Sequence, residues 1–105
     1  MTNIIIYVTC KSEDEAWEIA SALLEADLIA CANIRDSHRA LYKWEGKVED
    51  GHEVSMLLKT RSALFDKVRK KICEMHSYEC PCIVAMPISE GHEPFLSWIE
   101  EQTVA

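Results

Sequence analysis

The sequence predicts one α+β domain with the element order β-α-β-β-α-β-α, in which the two middle strands are drawn out into a long hairpin. Three observations predict this class. The chain has 105 residues, enough for one domain that buries roughly 65% of its unfolded surface. Residues in the middle of the chain alternate with the strand period of two. Two apolar stripes with helical spacing separate the strand segments.

The first strand and the first helix are predicted from composition and capping. Residues Asn3 to Thr9 form a β-branched run that is typical of a buried strand. Ser12 is predicted to cap the helix that follows, because Glu15 three residues later completes a capping box. We expect this helix to end near Ala26 or Asp27. Its core-facing stripe consists of Ala16, Ile19, Ala20, Leu23 and Leu24.

Residues 29–60 are predicted to form a hairpin of unusual length. The segments Ile29–Ile34 and Ala40–Trp44 form the outgoing arm, and alternation predicts a returning strand over Lys47–Thr60. A strand of that length, at about 3.3 Å per residue, spans roughly 45 Å. A domain of this size has a radius of gyration of only about 13 Å. The hairpin must therefore overhang its own domain, and its exposed edges favour pairing with another copy of the chain.

Two dipeptides compete for the turn of this hairpin, Glu45-Gly46 and Asp50-Gly51. Asp-Gly is the stronger turn signal in isolation. However, Val48 has the same parity as Val54, so one strand can run through Asp50-Gly51 without exchanging its two faces. We therefore predict the tight turn at Glu45-Gly46 and a bulge or kink at Gly51.

The remainder of the chain is predicted to form a helix, a final strand and a short terminal helix. The helix begins at Arg61–Ser62, the strand spans Cys80–Ile88 with a proline near each end, and Pro94 opens the last helix. The inward-facing residues of the two helices are Leu64, Phe65, Val68, Ile72 and Met75, then Phe95, Leu96, Trp98 and Ile99. The complete order is the ferredoxin-like plan with an added C-terminal helix.

Composition and charge exclude several classes of function. The net charge of −7 disfavours nucleic acid and anionic membranes as partners. The N-terminal residues have no basic region, and their apolar run is too short for a signal peptide or a membrane span. Five cysteines without an export signal indicate free thiols in a reducing, cytoplasmic location. Phosphate-loop, metalloprotease and nucleophile-elbow motifs are absent, so we expect a protein that is not an enzyme.

The densest cluster of reactive residues is Cys73-x-x-His76-x-x-x-Cys80-x-Cys82. Thiolates and imidazoles are good ligands for Zn(II) and Cu(I), and for direct metal binding we expect His76 first and Cys82 second. The same cysteines can instead be core or interface thiols, because free cysteine packs as a small hydrophobe. A nucleophile and base formed by Cys82 and His76 is a further alternative, although no third residue that would orient the pair is visible.

Five short segments occur in series along the chain. They are Ala30-Cys31-Ala32-Asn33-Ile34, Tyr42-x-Trp44-Glu45-Gly46-Lys47, Glu53-Val54 with Leu57-Leu58-Lys59-Thr60, His76-x-Tyr78-Glu79-x-Pro81, and Phe95-Leu96-x-Trp98-Ile99. Each segment is a weak signal alone. Together they cover almost the whole chain, and their order and spacing resemble the CutA divalent-cation-tolerance family.

This resemblance implies a cytoplasmic, ferredoxin-like homotrimer, similar in architecture to the PII signalling proteins, whose extended hairpins pair between subunits. It also implies a link to copper and other divalent ions, without an established reaction. The residues that the resemblance carries over are expected near clefts between subunits, where they either contact a ligand or hold the architecture. They are Asn33, Trp44, Lys59, His76, Tyr78 and Glu79.

Three positions depart from the family pattern. Arg35-Asp36-Ser37-His38 stands where the family usually has a Pro-Gly turn. Cys82 stands where a glutamate is usual, which replaces a carboxylate in the expected cleft with a soft ligand. Val8 stands where some members have a cysteine that is tied to copper, so a metal site built on that cysteine is not expected here.

We therefore expect a non-enzymatic homotrimer with a role in the response to metal ions. Its inter-subunit clefts are expected to bind copper, another divalent cation or a small ligand. One alternative is a PII-like signalling or scaffold trimer with only an indirect metal role. The other is a cysteine-dependent enzyme that uses Cys82. No cofactor other than such a metal ion is expected.

Overall fold

The computed structural model describes residues 2–104 and has the predicted order of elements. A 3₁₀ turn, Ser62–Leu64, precedes the second helix. The strands and helices are β1 Asn3–Cys10, α1 Glu13–Glu25, β2 Cys31–Ile34, β3 His38–Trp44, β4 Lys47–Arg61, α2 Phe65–Met75, β5 Ile83–Pro87 and α3 Glu93–Glu101.

The strands form one antiparallel sheet with the order β2-β4-β1-β5, and β3 continues along β4 beyond β2. The central pair runs in register from Asn3 opposite Arg61 to Cys10 opposite Val54. The outgoing arm of the hairpin is thus divided into β2, which belongs to the main sheet, and β3, which pairs with the overhanging half of β4. This arrangement is the ferredoxin-like fold that the sequence predicts.

The hydrophobic core lies between one face of the sheet and helices α1 and α2. Even-numbered residues of the central strands point to this side, as the strand period requires. Helix α1 contributes the predicted stripe except for Leu24, which is 42% exposed. The largest buried apolar side chains of this layer are Ile6, Val8, Met56, Leu58, Ile19, Leu23, Ile29, Val68 and Ile72.

The start of α1 has the predicted N-cap, in which the Ser12 hydroxyl accepts a hydrogen bond from the Glu15 amide at 3.1 Å. The reciprocal half of the capping box is displaced by one residue. The Glu15 carboxylate accepts from the Lys11 amide at 3.0 Å instead of from the cap residue. This carboxylate is buried, and its second oxygen contacts a distant part of the chain, as described below.

The hairpin turn lies at Glu45-Gly46, as parity predicts, with φ angles of 50° and 81°. Two successive residues with positive φ are the signature of a type I′ turn. The predicted bulge at Gly51 is wrong, because the pairing of β3 with β4 is unbroken from Trp44–Lys47 to His38–Glu53.

The extra residue of the hairpin lies instead between β2 and β3. Ile34 is opposite Met56 and His38 is opposite Glu53, so the three residues 35–37 span the same length as the two residues 54–55. The Arg35 amide donates to the Ser55 carbonyl at 2.8 Å within this irregular segment. Gly51, with ordinary φ and open space at the position of a Cβ, takes part in a regular ladder.

The last strand is shorter than predicted, because β5 begins at Ile83 and not at Cys80. Extending its pairing with β1 would place Cys82 opposite Thr9 and Pro81 opposite Cys10. Pro81 has no amide hydrogen to donate. The Thr9 carbonyl bonds to the ring of His76 instead.

Helix α3 covers part of the second face of the sheet. Of its predicted inward residues, Ile99 is fully buried, whereas Phe95 and Trp98 stack at 5.5 Å and remain 40% and 37% exposed. The rest of this face is open. Val84 lies opposite Tyr7 and Met86 opposite Ile5 on this side, and the two β5 residues are 50% and 45% exposed.

The glycine at the turn provides a test of the hairpin assignment. Gly46→Ala is expected to lower the free energy of unfolding by about 1 kcal/mol, because an L-residue other than glycine is disfavoured at positive φ. Gly51→Ala is the matched control and should leave stability unchanged or slightly raised, since its φ is ordinary and the added methyl meets open space. Urea denaturation at one protein concentration measures both. Equal losses would contradict the assignment.

Candidate functional site

A cavity of about 710 Å³ opens on the uncovered face of the sheet, beside the root of the long hairpin. Tyr7 and Thr9 of β1 form its floor, and residues of β3 form one wall with Glu53 of β4. The opposite wall is the segment 78–82, which connects α2 to β5. A second cavity of about 670 Å³, lined by the irregular segment 35–37, shares Tyr7 and His38 with it.

Four of the seven predicted site residues line the larger cavity. Trp44 reaches it from β3, and Tyr78, Glu79 and Cys82 reach it from the connecting segment. The fold therefore brings Trp44 and Cys82, which are far apart in the sequence, to the same cavity. Cys80, which the sequence places in the reactive cluster, lines the same cavity.

Asn33 and Lys59 lie elsewhere on the open face and form a pair of their own. The Lys59 ammonium donates to the Asn33 side-chain oxygen at 2.5 Å. The same ammonium lies 6.0 Å from the centre of the Phe95 ring, at the outer limit of a cation–π contact. Within one chain these contacts tie strands β2 and β4 to helix α3, and neither residue lines the larger cavity.

Both ring nitrogens of His76 form hydrogen bonds with the backbone. Nε2 lies 2.7 Å from the Thr9 carbonyl, and Nδ1 accepts from the Tyr78 amide at 3.1 Å. A carbonyl can only accept and an amide can only donate, so Nε2 donates to the Thr9 carbonyl and Nδ1 is the acceptor. The Tyr78 ring stands 4.8 Å from the imidazole, centre to centre. His76 therefore positions the wall of the cavity and does not line it.

The donor atoms of His76, Cys10 and Glu15 lie within 4.8 Å of one another, a spacing that would suit a metal ion. The chemistry of these three side chains, however, does not suit a metal ion. The Glu15 carboxylate accepts from the amides of Lys11 and Ser77 at 3.0 and 2.9 Å. Burial alone would raise the pKa of Glu15, but these hydrogen bonds from Ser77 and Lys11 lower it below its ordinary value.

The third member of this group, Cys10, is fully buried, and burial raises its pKa to about 12, with a smaller contribution from the Glu15 charge. A thiol that is fully buried and has so high a pKa loses its proton to a metal ion only at a large cost, unlike an exposed thiol. The group is therefore satisfied without an ion and serves to join strand β1, helix α1 and the segment after α2.

The protonation of the cavity residues follows from burial and from Glu53. Burial raises the pKa of Tyr78. The hydrogen bond between Tyr78 and Glu53 and the charge of Glu53 raise it further. Partial burial of the thiol raises the pKa of Cys82, and the charges of Glu53 and Cys80 add to this effect. Both groups are neutral at pH 7, so in the free protein Cys82 has little of the thiolate character that a nucleophile requires.

Sequence reasoning missed three contributors to this region. Glu15 was recognised only as part of a capping box, because its contact with Ser77 joins positions that are 62 residues apart. Glu53 and Tyr7 lie on the open face by strand parity, but parity alone does not indicate which residues line a cavity. The residues that line the cavity are determined by the way β3 and the segment 78–82 face each other across it.

No helix among residues 2–104 combines the length and the apolar character that a membrane span requires.

A ferredoxin-like sheet with an overhanging hairpin, and a cavity where that hairpin meets the α2–β5 segment, defines a class of small α+β proteins. The family model described as CutA1 divalent ion tolerance protein matches residues 4–102. The chain therefore belongs to the CutA1 divalent ion tolerance family.

Similarity to individual members extends over nearly the full length of the chain. The divalent-cation tolerance protein CutA of Pyrococcus horikoshii is 41% identical over 95% of this chain and 97% of its own length. The human protein CutA is 37% identical over 92% of this chain and 54% of its own length. The structure of the periplasmic divalent cation tolerance protein CutA from Archaeoglobus fulgidus superposes with a TM-score of 0.92 at 46% identity, covering 95% and 97% of the two chains.

The buried Glu15 carboxylate predicts a specific pH dependence of stability. Glu15→Gln is expected to lower the free energy of unfolding by about 2 kcal/mol at pH 7, since one of two buried amide donors then faces a side-chain NH₂ group. The folded-state pKa of Glu15 is depressed, so its contribution is complete above the ordinary value of 4.5 and is lost as the pH falls through the lower, folded-state pKa.

The difference in stability between the unmodified protein and Glu15→Gln should therefore narrow below pH 4.5. Glu18→Gln, on the exposed side of the same helix, is the control and should change stability little at any pH. Urea titrations at several pH values measure the three proteins. If the difference in free energy of unfolding between the unmodified protein and Glu15→Gln were constant with pH, the Glu15 charge would not provide the stabilisation.

Proposed function

We propose that this protein is a non-enzymatic homotrimer that acts in the response to metal ions and binds a metal ion or a small ligand in clefts between its subunits. The observation that carries the proposal is the position of the larger cavity. It lies on the open apolar face of the sheet, where the overhanging hairpin would meet a neighbouring chain, and four predicted site residues line it.

Exposed apolar side chains support the assembly. Leu41 and Val48 of the hairpin are 76% and 66% exposed, and Tyr42 and Trp44 are 49% and 41% exposed. The strand register places Leu41 and Val48 on one face of the hairpin and Tyr42 and Trp44 on the other, so the arm exposes apolar side chains on both faces. Exposure of several large apolar side chains on one arm is characteristic of an interface. The hairpin also leaves a strand edge that pairing with another chain would satisfy. The chain is elongated, with extents of 44 × 26 × 23 Å, which is consistent with an arm that reaches a neighbour.

The donor set of the cavity supports a soft metal ion in preference to a site on His76. The two hydrogen bonds of His76 hold the cavity wall, and coordination would break at least one of them. Cys82, the second predicted ligand, is exposed and carries a free thiol. We therefore assign direct metal contact to the cysteine side of the cavity and a positioning role to His76.

We also propose that the protein is not an enzyme and that it resides in a reducing compartment. The raised pKa of Cys82 works against a cysteine-dependent reaction, because the nucleophile would be protonated at pH 7. Three exposed free cysteines at positions 73, 80 and 82 are best kept reduced in the cytoplasm.

Native mass spectrometry of the reduced protein, with and without copper and zinc ions, tests assembly and binding together. The expected spectrum is a trimer that takes up a fixed number of ions per chain. A monomer at micromolar concentration would overturn the architecture. A trimer that stays free of ions would limit the cleft to small-molecule ligands.

Val84 allows the interface to be tested by substitution. Val84→Glu is expected to raise the concentration at which the trimer dissociates by at least about 10-fold, because burial of a valine contributes about 1.5 kcal/mol per chain and a buried charge opposes association further. Trp17→Glu is the control, since Trp17 is 68% exposed but belongs to α1 in the helix layer on the opposite side of the sheet. Analytical ultracentrifugation measures both. Dissociation by Trp17→Glu alone would place the interface on the helices.

A further inference from the structure

We propose that Cys80 and Cys82 form a two-thiolate site in the larger cavity for a soft monovalent cation, of which Cu(I) is the biological example. This inference rests on the proposed metal-binding role, for which it names the ligands and the class of ion. The site lies within one chain, so its two ligands do not depend on the assembly.

The backbone brings the two thiols together. Cys80 and Cys82 flank Pro81, so their Cα atoms are no more than about 7 Å apart. Both residues are exposed, both thiols are free, and both line the same cavity. Pro81 restricts the backbone between them and lowers the conformational entropy that closing the site would cost.

The position of this segment is set by contacts that do not involve the thiols. The Ser77 amide donates to the buried Glu15 carboxylate at 2.9 Å, and the Tyr78 amide donates to the fixed ring of His76 at 3.1 Å. On the other side, Ile83 begins the regular pairing of β5 with β1. A loop that is anchored at both ends offers its two sulfur atoms without having to fold around the ion.

The number of donors selects the class of ion. Among residues 2–104, the group of three or more metal-ligating side chains that lie close together is Cys10, Glu15 and His76, and neither Cys80 nor Cys82 belongs to it. Two thiolates without a preformed third ligand suit a soft ion that accepts two-coordinate, linear geometry, as Cu(I) does. Zn(II) prefers four ligands in a tetrahedral arrangement and would be poorly served.

The charges around the cavity also favour a cation. Glu53 and Glu79 line it together with Arg39 and the imidazole of His38, so the carboxylates outnumber the guanidinium. The whole chain carries a net charge of −7. When the ion binds, the two S–H groups release their protons to solvent and two Cu–S bonds form, while copper remains in the +1 state. No oxidant or reductant is consumed.

The core thiol does not compete for the ion. Cys10 is buried with no exposed surface and is packed among the apolar side chains of the core. Cys73 is exposed but lies on α2, in the helix layer on the other side of the sheet, and does not line the cavity. Cys73 is therefore a control for an exposed free thiol outside the proposed site.

The test is an anaerobic titration of the reduced protein with Cu(I), in competition with a chromophoric Cu(I) chelator such as bathocuproine disulfonate. The unmodified protein is expected to bind one Cu(I) per chain. Cys80→Ser and Cys82→Ser should each weaken binding by more than about 100-fold, because a lost ligand costs more than the 10- to 100-fold that an outer-shell change costs. Cys73→Ser should bind as the unmodified protein does, and Zn(II) should not displace Cu(I).

Two results would overturn the inference: unchanged Cu(I) affinity in both serine variants, or loss of binding in Cys73→Ser. Binding that is lost in a folded His76→Asn variant but retained in both serine variants would return the ligand role to His76, and would also overturn it. Native mass spectra of the same samples separate the two proposals. Trimers without Cu(I) would contradict the two-thiolate site alone, whereas Cu(I)-loaded monomers would contradict the trimer alone.

Discussion

Strand β4 is the constraint on which the rest of the structure depends. It runs for 15 residues without a break, from Lys47 to Arg61, and keeps the same parity throughout. Its second half lies between β1 and β2 and contributes Met56 and Leu58 to the core. Its first half pairs with β3 and extends beyond that core. One strand therefore belongs both to a closed hydrophobic layer and to an exposed arm, and the cavity lies where the two meet.

A second set of contacts fixes the wall of that cavity. The buried Glu15 carboxylate and the His76 ring each join an early part of the chain to the segment after α2, through Ser77 in one case and through Thr9 and Tyr78 in the other. Charged acceptors in buried positions form hydrogen bonds that are stronger than those between neutral groups. These bonds replace the strand pairing that Pro81 prevents. The cavity wall is consequently held by polar contacts and not by a continued β-ladder.

Most of the fold could be predicted from local pattern, and most of the site could not. Parity identified the Glu45-Gly46 turn against the stronger Asp-Gly signal, because a strand with one buried face cannot change its register. The extra residue was expected at Gly51 and lies at residues 35–37 instead, since its position depends on how two strands with different partners meet. No periodicity within one segment encodes that relation.

The same limit applies to the candidate site. The resemblance of the sequence to its family identified Trp44 and Tyr78, and both line the cavity. It also grouped Asn33 and Lys59 with them, whereas within one chain these two residues bond to each other beside α3. His76 had the residue type of a metal ligand, but its two hydrogen bonds depend on the tertiary positions of Thr9 and Tyr78. Residue type suggests chemistry, and the partners of each nitrogen decide whether that chemistry is available.

The cysteines show how one fold gives the same side chain different roles. Burial raises the pKa of Cys10 to about 12, so this thiol stays protonated and packs as an apolar group. Cys80 and Cys82 sit at the mouth of a cavity with two carboxylates, on a segment whose position depends on Glu15 and His76. Because hydrogen bonds to Glu15 and His76 hold this segment in position, its placement does not depend on packing of the two exposed thiols. Both thiols are therefore free and accessible from solvent on a segment that other residues hold in place.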